Sequence, residues 1–227
     1  MQGDSNAPTL ARVTLPDAGG PASRAVVWLH GLGADGHDFV PLFQGVEERL
    51  PGMRVVLPHA PQQPVTLNGG MRMRAWYDIV SLETTAQQDL EGIRASAERV
   101  GGLLDELEEE GIPAERTVLG GFSQGAVLAL WAGLGRPRPL AGIAALSGYL
   151  PADPPLAEAQ RETPIFLGHG RHDGVVPFPL GEAARDRLRA LGCSSVTWHP
   201  YELDHGVDAE EAGDLLGWLE GVLAERE

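Results

Sequence analysis

A chain of 227 residues, 43% of them hydrophobic, is long enough to bury a core and is neither disordered nor fibrous in composition. A formal charge of −15 and a pI near 4.8 set it against nucleic-acid phosphates and anionic membrane surfaces, so neither is expected as a partner. Cys193 is the lone cysteine, which excludes an internal disulfide and an all-cysteine metal site.

The N-terminal stretch Met1 to Pro8 is polar, and no run approaches the roughly 20 apolar residues that span a bilayer. The expectation is a single domain over residues 1–227, in the cytoplasm, without integral membrane association. Strand-like runs come first at Leu10–Leu15 and Ala25–His30. The second is apolar throughout, which suits a central strand covered on both faces. A glycine-rich turn follows at Gly31, Gly33 and Gly36, then a helix from about His37 to Leu50. Arg54–Leu57 is a short strand ended by Pro58. Residues 58–80 read as irregular, with three prolines, Asn68-Gly69-Gly70 and the pair Trp76-Tyr77. A long structured loop in a compact domain often carries function.

The spacing of Ile93, Ala97, Val100, Leu103, Leu104 and Leu107 predicts a helix over Asp89–Glu110, closed by Gly111. Its acidic run, Asp105–Glu110, is then mostly a solvated face and no metal site. Thr117–Gly120 is a strand and Gln124–Leu134 an apolar helix. Leu140–Leu146 and Pro164–His169 are strands, Gly181–Leu191 a helix, Val196–Tyr201 a strand, and Ala209–Ala224 a closing amphipathic helix. This alternation implies an α/β fold with a mainly parallel, doubly wound sheet flanked by helices.

Gly121-Phe122-Ser123-Gln124-Gly125 is a G-x-S-x-G motif, weak alone but here placed between a strand and a helix, as the motif requires. The chain must turn sharply, and Gly121 and Gly125 remove side chains where segments crowd. Ser123 is the candidate nucleophile, as against a mere helix-capping serine. A serine hydroxyl needs a base, and the base needs an orienting carboxylate. Asp173 and His205 follow Ser123 in the chain order this arrangement demands, each just beyond a strand. Asp153 and Asp204 are rivals for the acid, and His30, His169, His172 and His199 for the base. His30 precedes the nucleophile and suits an oxyanion loop better. Leu32, in His30-Gly31-Leu32-Gly33, and Gln124 are the candidate oxyanion-hole donors through their backbone N–H groups. No phosphate loop, dinucleotide fingerprint or zinc-protease motif occurs, so no cofactor and no metal is expected. The pair His169 and His172 is taken as chance. Cys193 reads as a structural thiol. Residues 65–80 and 176–180, Val176 among them, would set the dimensions of a substrate pocket.

Several pieces together resemble the phospholipase/carboxylesterase family: His30-Gly31-Leu32-Gly33-Ala34-Asp35-Gly36, Pro58-His59-Ala60-Pro61, Trp76-Tyr77-Asp78, the serine motif, Leu146-Ser147-Gly148 and Asp173-Gly174-Val175-Val176-Pro177. They run in order along most of the chain. The resemblance implies an α/β-hydrolase fold without a large cap domain. It implies a cofactor-free serine hydrolase acting on small or acyl-chain esters and thioesters, with Ser123, His205 and Asp173 as triad and Leu32 and Gln124 as oxyanion donors. It also implies that Trp76 and Ile79 contact the acyl chain. The chain departs from the family at Asp204, where a small residue usually precedes the catalytic histidine. A carboxylate there either raises the histidine's basicity or draws it out of register. A feruloyl-type esterase or peptidase on the same fold is the runner-up, and a non-catalytic binding module the remote one. An apolar patch from Trp76, Ile79 or Phe178 would serve substrate entry or a homodimer contact equally well.

Overall fold

The computed structural model describes residues 10–15, 22–81 and 88–224. Seven strands form the main sheet: β1 (Arg12–Leu15), β2 (Arg24–Leu29), β3 (Met53–Pro58), β6 (Thr117–Phe122), β7 (Gly142–Leu146), β8 (Ile165–Gly170) and β9 (Val196–Tyr201). Their order is β1-β3-β2-β6-β7-β8-β9. Only β1 runs antiparallel to its neighbour; the other five pairings are parallel. The expected mainly parallel sheet is therefore what forms.

β2 shows why the sheet is buried on both sides. Ala25, Val27 and Leu29 point into one core with helices α3 (Leu90–Glu109), α4 (Gln124–Leu134) and α5 (Phe178–Ala190). Val26 and Trp28 point into the other, with Phe43 and with Leu215 and Leu219 of α6 (Ala209–Leu223). Alternation along the strand feeds both faces, so every residue of β2 is buried. α4 is buried along its whole length, which its uniformly apolar sequence anticipates. α3 is amphipathic, capped by the Asp89 carboxylate on the Gly92 N–H at 2.9 Å. Its acidic end faces solvent but is paired: Asp105 and Glu108 with Arg136, Glu106 with Arg12, and Glu110 with Arg54.

Two expectations need correction. The helix expected over His37–Leu50 is three short pieces: a 3-10 turn Gly36–Phe39, α1 (Val40–Phe43) and α2 (Val46–Arg49). Gly45 adopts φ 76°, a left-handed conformation that ends one helical turn before the next begins. The segment expected to be irregular, residues 58–80, contains a hairpin of β4 (Gln62–Val65) and β5 (Met71–Arg74). Between β7 and β8 the chain carries one 3-10 turn, Glu158–Gln160, and no helical block. Cys193 is buried, and burial pushes its thiol pKa up, as befits a structural thiol. Among the described residues no helix is long and apolar enough to cross a membrane.

The order of strands has a functional consequence. From β2 the chain moves one way to β3, then crosses to β6 on the other side. The carboxyl ends of β2 and β6 therefore border a topological switch point, where α/β sheets open a crevice.

α6 also buries a carboxyl group. Glu211 is inaccessible to solvent, and neither of its oxygens has a hydrogen-bond partner among the described residues. Burial, with the Asp208 charge nearby, raises its pKa from 4.5 to about 8. The folded protein keeps this proton up to about pH 8, whereas the unfolded chain loses it near 4.5. Stability is then lost progressively as pH rises through that window. In denaturant unfolding, Glu211→Gln should gain on the parent chain steadily from pH 5 to 8 and by a constant margin above. Parallel pH profiles would contradict this.

Candidate active site

β6 and α4 meet in a single residue. Ser123 lies between them with φ 56° and ψ −117°, a conformation that costs a non-glycine residue about 1–3 kcal/mol. Packing enforces it. A Cβ at Gly121 would lie 2.5 Å from the Gly125 carbonyl carbon, and one at Gly125 only 2.1 Å from the Leu29 carbonyl oxygen. The Ser123 N–H donates to the Leu146 carbonyl at 2.9 Å, locking the turn to β7. The strand expected to stop at Gly120 thus runs on to Phe122, and the serine stands at its tip.

The structure brings Ser123, His205 and Asp173 together. Ser123 Oγ is 3.0 Å from His205 Nε2, and His205 Nδ1 is 2.7 Å from Asp173 Oδ2. With a carboxylate on Nδ1, that nitrogen carries the proton and Nε2 accepts from the serine hydroxyl. The Asp173 side chain is wholly buried, yet its other oxygen accepts from the N–H groups of Val175 at 2.9 Å and Val176 at 2.8 Å. A buried carboxylate supported this way stays where it is. The rivals stand elsewhere. Asp153 pairs with Arg187. Asp204 leaves His205 in register with both partners. His169 is buried behind the acid, 3.5 Å from Asp173 Oδ2, and donates to the Val176 carbonyl at 2.8 Å. Burial lowers its pKa and keeps it neutral. His172 is exposed and pairs with Glu202.

Leu32 and Gln124 both border the space above Ser123. Among the described residues no carbonyl accepts from the backbone N–H of either. The loop that carries Leu32 is held by two reciprocal imidazole bonds. His30, at the end of β2, accepts from the Ala60 N–H at Nε2 (3.0 Å) and donates to the Gly31 carbonyl from Nδ1 (2.7 Å). His59, just past β3, accepts from the Gly36 N–H at Nδ1 (3.0 Å). Both acceptors exist only on neutral imidazoles, and burial lowers the pKa of each. His30 therefore pins the loop and does not face the reacting atoms. Asp35, His37 and His59 place ligand atoms within 4.8 Å of one another, a grouping of metal-ligand type that sequence spacing did not reveal. Their inward atoms are engaged in this turn: Asp35 accepts from the His37 N–H at 2.8 Å.

A pocket of about 400 Å³ opens beside Ser123. Ile79 and Val176 line it with Leu67, Leu150 and Leu180. Trp76 does not. It is 1% exposed, its indole N–H donates to the His30 carbonyl at 2.9 Å, and its ring packs against His30. Buried there, it cannot contribute to an exposed dimer patch, and the pocket-facing residue of the pair is Tyr77. Spacing also left the Gln124 side chain unassigned. Its Oε1 accepts from the Trp76 N–H at 2.8 Å and its Nε2 donates to the Tyr77 carbonyl at 2.7 Å. The residue after the nucleophile thus clamps the pocket wall. The i, i+3, i+4, i+7 series of Leu180, Ala183, Ala184 and Arg187 on α5, all lining, was the legible signal that the sequence reading passed over.

Comparison with known proteins places this geometry in context. The model of the phospholipase/carboxylesterase family matches residues 11–223. Acyl-protein thioesterase 1 of Yarrowia lipolytica is 43% identical over 209 residues, covering 88% of this chain and 92% of that one. Zea mays acyl-protein thioesterase 2 superposes with a TM-score of 0.82 at 32% identity, covering 95% of this chain and all of the other. Arabidopsis thaliana SOBER1 does so with a TM-score of 0.82 at 30% identity, covering 88% and 99%.

Gln124→Ala keeps the backbone donor but leaves the buried Trp76 N–H without its partner. It should destabilise the fold by about 1–3 kcal/mol and raise KM for long acyl esters more than it lowers kcat. Unchanged unfolding and unchanged KM would contradict the clamp.

Proposed function

The chain belongs to the phospholipase/carboxylesterase family and is an ester-hydrolysing serine hydrolase; from that premise we propose that it cleaves acyl esters and thioesters through an acyl-enzyme on Ser123. The observation that carries this reading is the continuous relay from Ser123 Oγ to His205 Nε2 (3.0 Å) and from His205 Nδ1 to Asp173 (2.7 Å).

Ser123 Oγ attacks the substrate carbonyl carbon as its proton passes to His205 Nε2. The resulting tetrahedral oxyanion accepts hydrogen bonds from the N–H groups of Leu32 and Gln124. Removing one such donor typically costs about 10²–10³ in rate. The His205 imidazolium, held by the Asp173 carboxylate, returns the proton to the departing alcohol or thiol, leaving the acyl group on Ser123. Water then repeats the sequence as nucleophile, with His205 again as base, and the carboxylic acid leaves. Every participating group comes from the chain and water. The strained backbone at Ser123 and the buried Asp173 keep the relay preorganised, so little reorganisation is needed at the moment of reaction.

The substrate is an acyl compound of moderate length. The pocket's aliphatic wall of Leu67, Ile79, Leu150, Val176 and Leu180 favours a hydrocarbon chain over a peptide backbone, which would need polar partners. Relatives named acyl-protein thioesterases support thioesters among the substrates. A thiolate also needs less protonation on departure than an amine, which fits a relay with one proton to give.

Hydrolysis of p-nitrophenyl esters of graded chain length and of a palmitoyl thioester tests this. Ser123→Ala should lower kcat about 10⁶-fold and Asp173→Asn about 10⁴-fold, both with near-parental unfolding. Retained turnover in a folded Ser123→Ala protein would overturn the assignment.

A further inference from the structure

The pocket beside Ser123 has a mostly aliphatic wall, and the side chains of Gln88 and Arg187 also line it. Two hydrogen bonds show that these side chains converge. Gln88 Oε1 accepts from the Ala152 N–H at 3.2 Å, and Arg187 Nη2 donates to Asp153 Oδ1 at 3.4 Å. Ala152 and Asp153 are consecutive, so Gln88 and Arg187 both reach the same bend of the chain. Because the Gln88 oxygen is turned toward Ala152, its NH₂ is left as a donor. Arg187 likewise keeps guanidinium N–H groups beyond its single long bond.

Helix geometry sets the distance from the reaction centre. The N–H of Val176, just before α5, binds Asp173, so α5 starts at the acid. Leu180, Ala183, Ala184 and Arg187 lie on one face of the helix and line the pocket in that order. At 1.5 Å per residue, Arg187 stands about 13 Å along the helix from its first residue, Phe178. That is the reach of a medium-length acyl chain.

We infer that Arg187 and the Gln88 amide form an oxyanion-binding end to this pocket, so that preferred substrates carry a carboxylate or phosphate remote from the scissile bond. The inference rests on the esterase reading of Ser123. Among the described residues, the other charges facing the pocket are occupied. Asp78 accepts from Thr66 N–H (2.7 Å) and Thr66 Oγ1–H (2.5 Å), and Asp89 from Asp78 N–H (2.9 Å) and Gly92 N–H (2.9 Å) at the start of α3. Arg187 has only Asp153 among the described residues, a side chain 98% exposed on a residue with φ 47°. An exposed pair at that separation is weak. A substrate oxyanion would replace Asp153 as partner, exchanging one anion for another without stranding the guanidinium. Planar guanidinium donors match a carboxylate or phosphate in geometry as well as charge.

The test separates binding from turnover. Binding of intact esters to Ser123→Ala protein is measured by calorimetry, and hydrolysis by the parent enzyme is followed in parallel. Matched pairs carry the anion on the acyl side (a p-nitrophenyl monoester of a medium-chain dicarboxylic acid against the ester of the equivalent fatty acid) or on the alcohol side (an acyl ester of a medium-chain ω-hydroxy acid against that of the equivalent alcohol). A phosphate-terminated alcohol extends the second pair. One anionic member should bind about three- to tenfold tighter than its neutral partner. Adding Arg187→Gln to the Ser123→Ala protein should abolish that preference. Equal binding of charged and neutral members, or a preference that survives Arg187→Gln, overturns the subsite. Failure of the parent enzyme to hydrolyse any ester would instead overturn the esterase reading, with the binding comparison still deciding the subsite.

Discussion

The site depends on one close approach, that of Gly125 to the Leu29 carbonyl. β6 can pass into α4 within a single residue only because the backbones of β2 and α4 nearly touch there; a Cβ would stand 2.1 Å from that oxygen. Gly121 is crowded in the same way from the other side of the turn. The result is a serine held at positive φ at the tip of a central strand, its N–H tied to β7. Strain of this kind persists only where surrounding structure over-determines it. Here three adjacent strands of the sheet do so.

From that turn the rest of the site follows by short connections. β2 ends beside β6, so the His30–Gly36 loop lies over the nucleophile. β8 delivers Asp173 and the loop after β9 delivers His205, both on the same edge of the sheet. Side chains that do no chemistry hold these loops in place. Neutral His30 and His59 cross-link the loops after β2 and β3, and Gln124 fixes Trp76 and Tyr77. Tyr77 in turn shares a buried hydroxyl contact with Tyr149, and burial raises both phenol pKa values. The pocket wall is thus continuous with the catalytic turn, and its polar far end is set by the same packing of α5 that supports the acid.

Much of this was legible in the sequence for physical reasons. The bounds of α4 and β9 follow from clear signals: a glycine-flanked serine before a uniformly apolar run, and a run rich in β-branched and aromatic residues. The order Ser123, Asp173, His205 selected the three residues that meet, because each follows a strand and parallel strands end on one edge. What failed was local. Gly45 breaks the expected helix over residues 37–50, since one glycine in a left-handed conformation outweighs the apolar pattern around it. The β4–β5 hairpin was missed because its strands are short and carry little buried surface, with Pro64 among them. Trp76 was carried to the pocket by resemblance, but a tryptophan with a nearby carbonyl acceptor is equally suited to the core, and there it lies. Contacts that join distant segments through side-chain amides, as Gln124 and Gln88 do, leave no periodicity to detect.

The most direct test of the account is to label the folded protein with a fluorophosphonate and locate the adduct by peptide mass spectrometry, with His205→Ala as comparison. The account predicts one adduct, on Ser123, formed rapidly in the parent chain and very slowly in the variant. An adduct on another residue, or none on a folded parent protein, would contradict it.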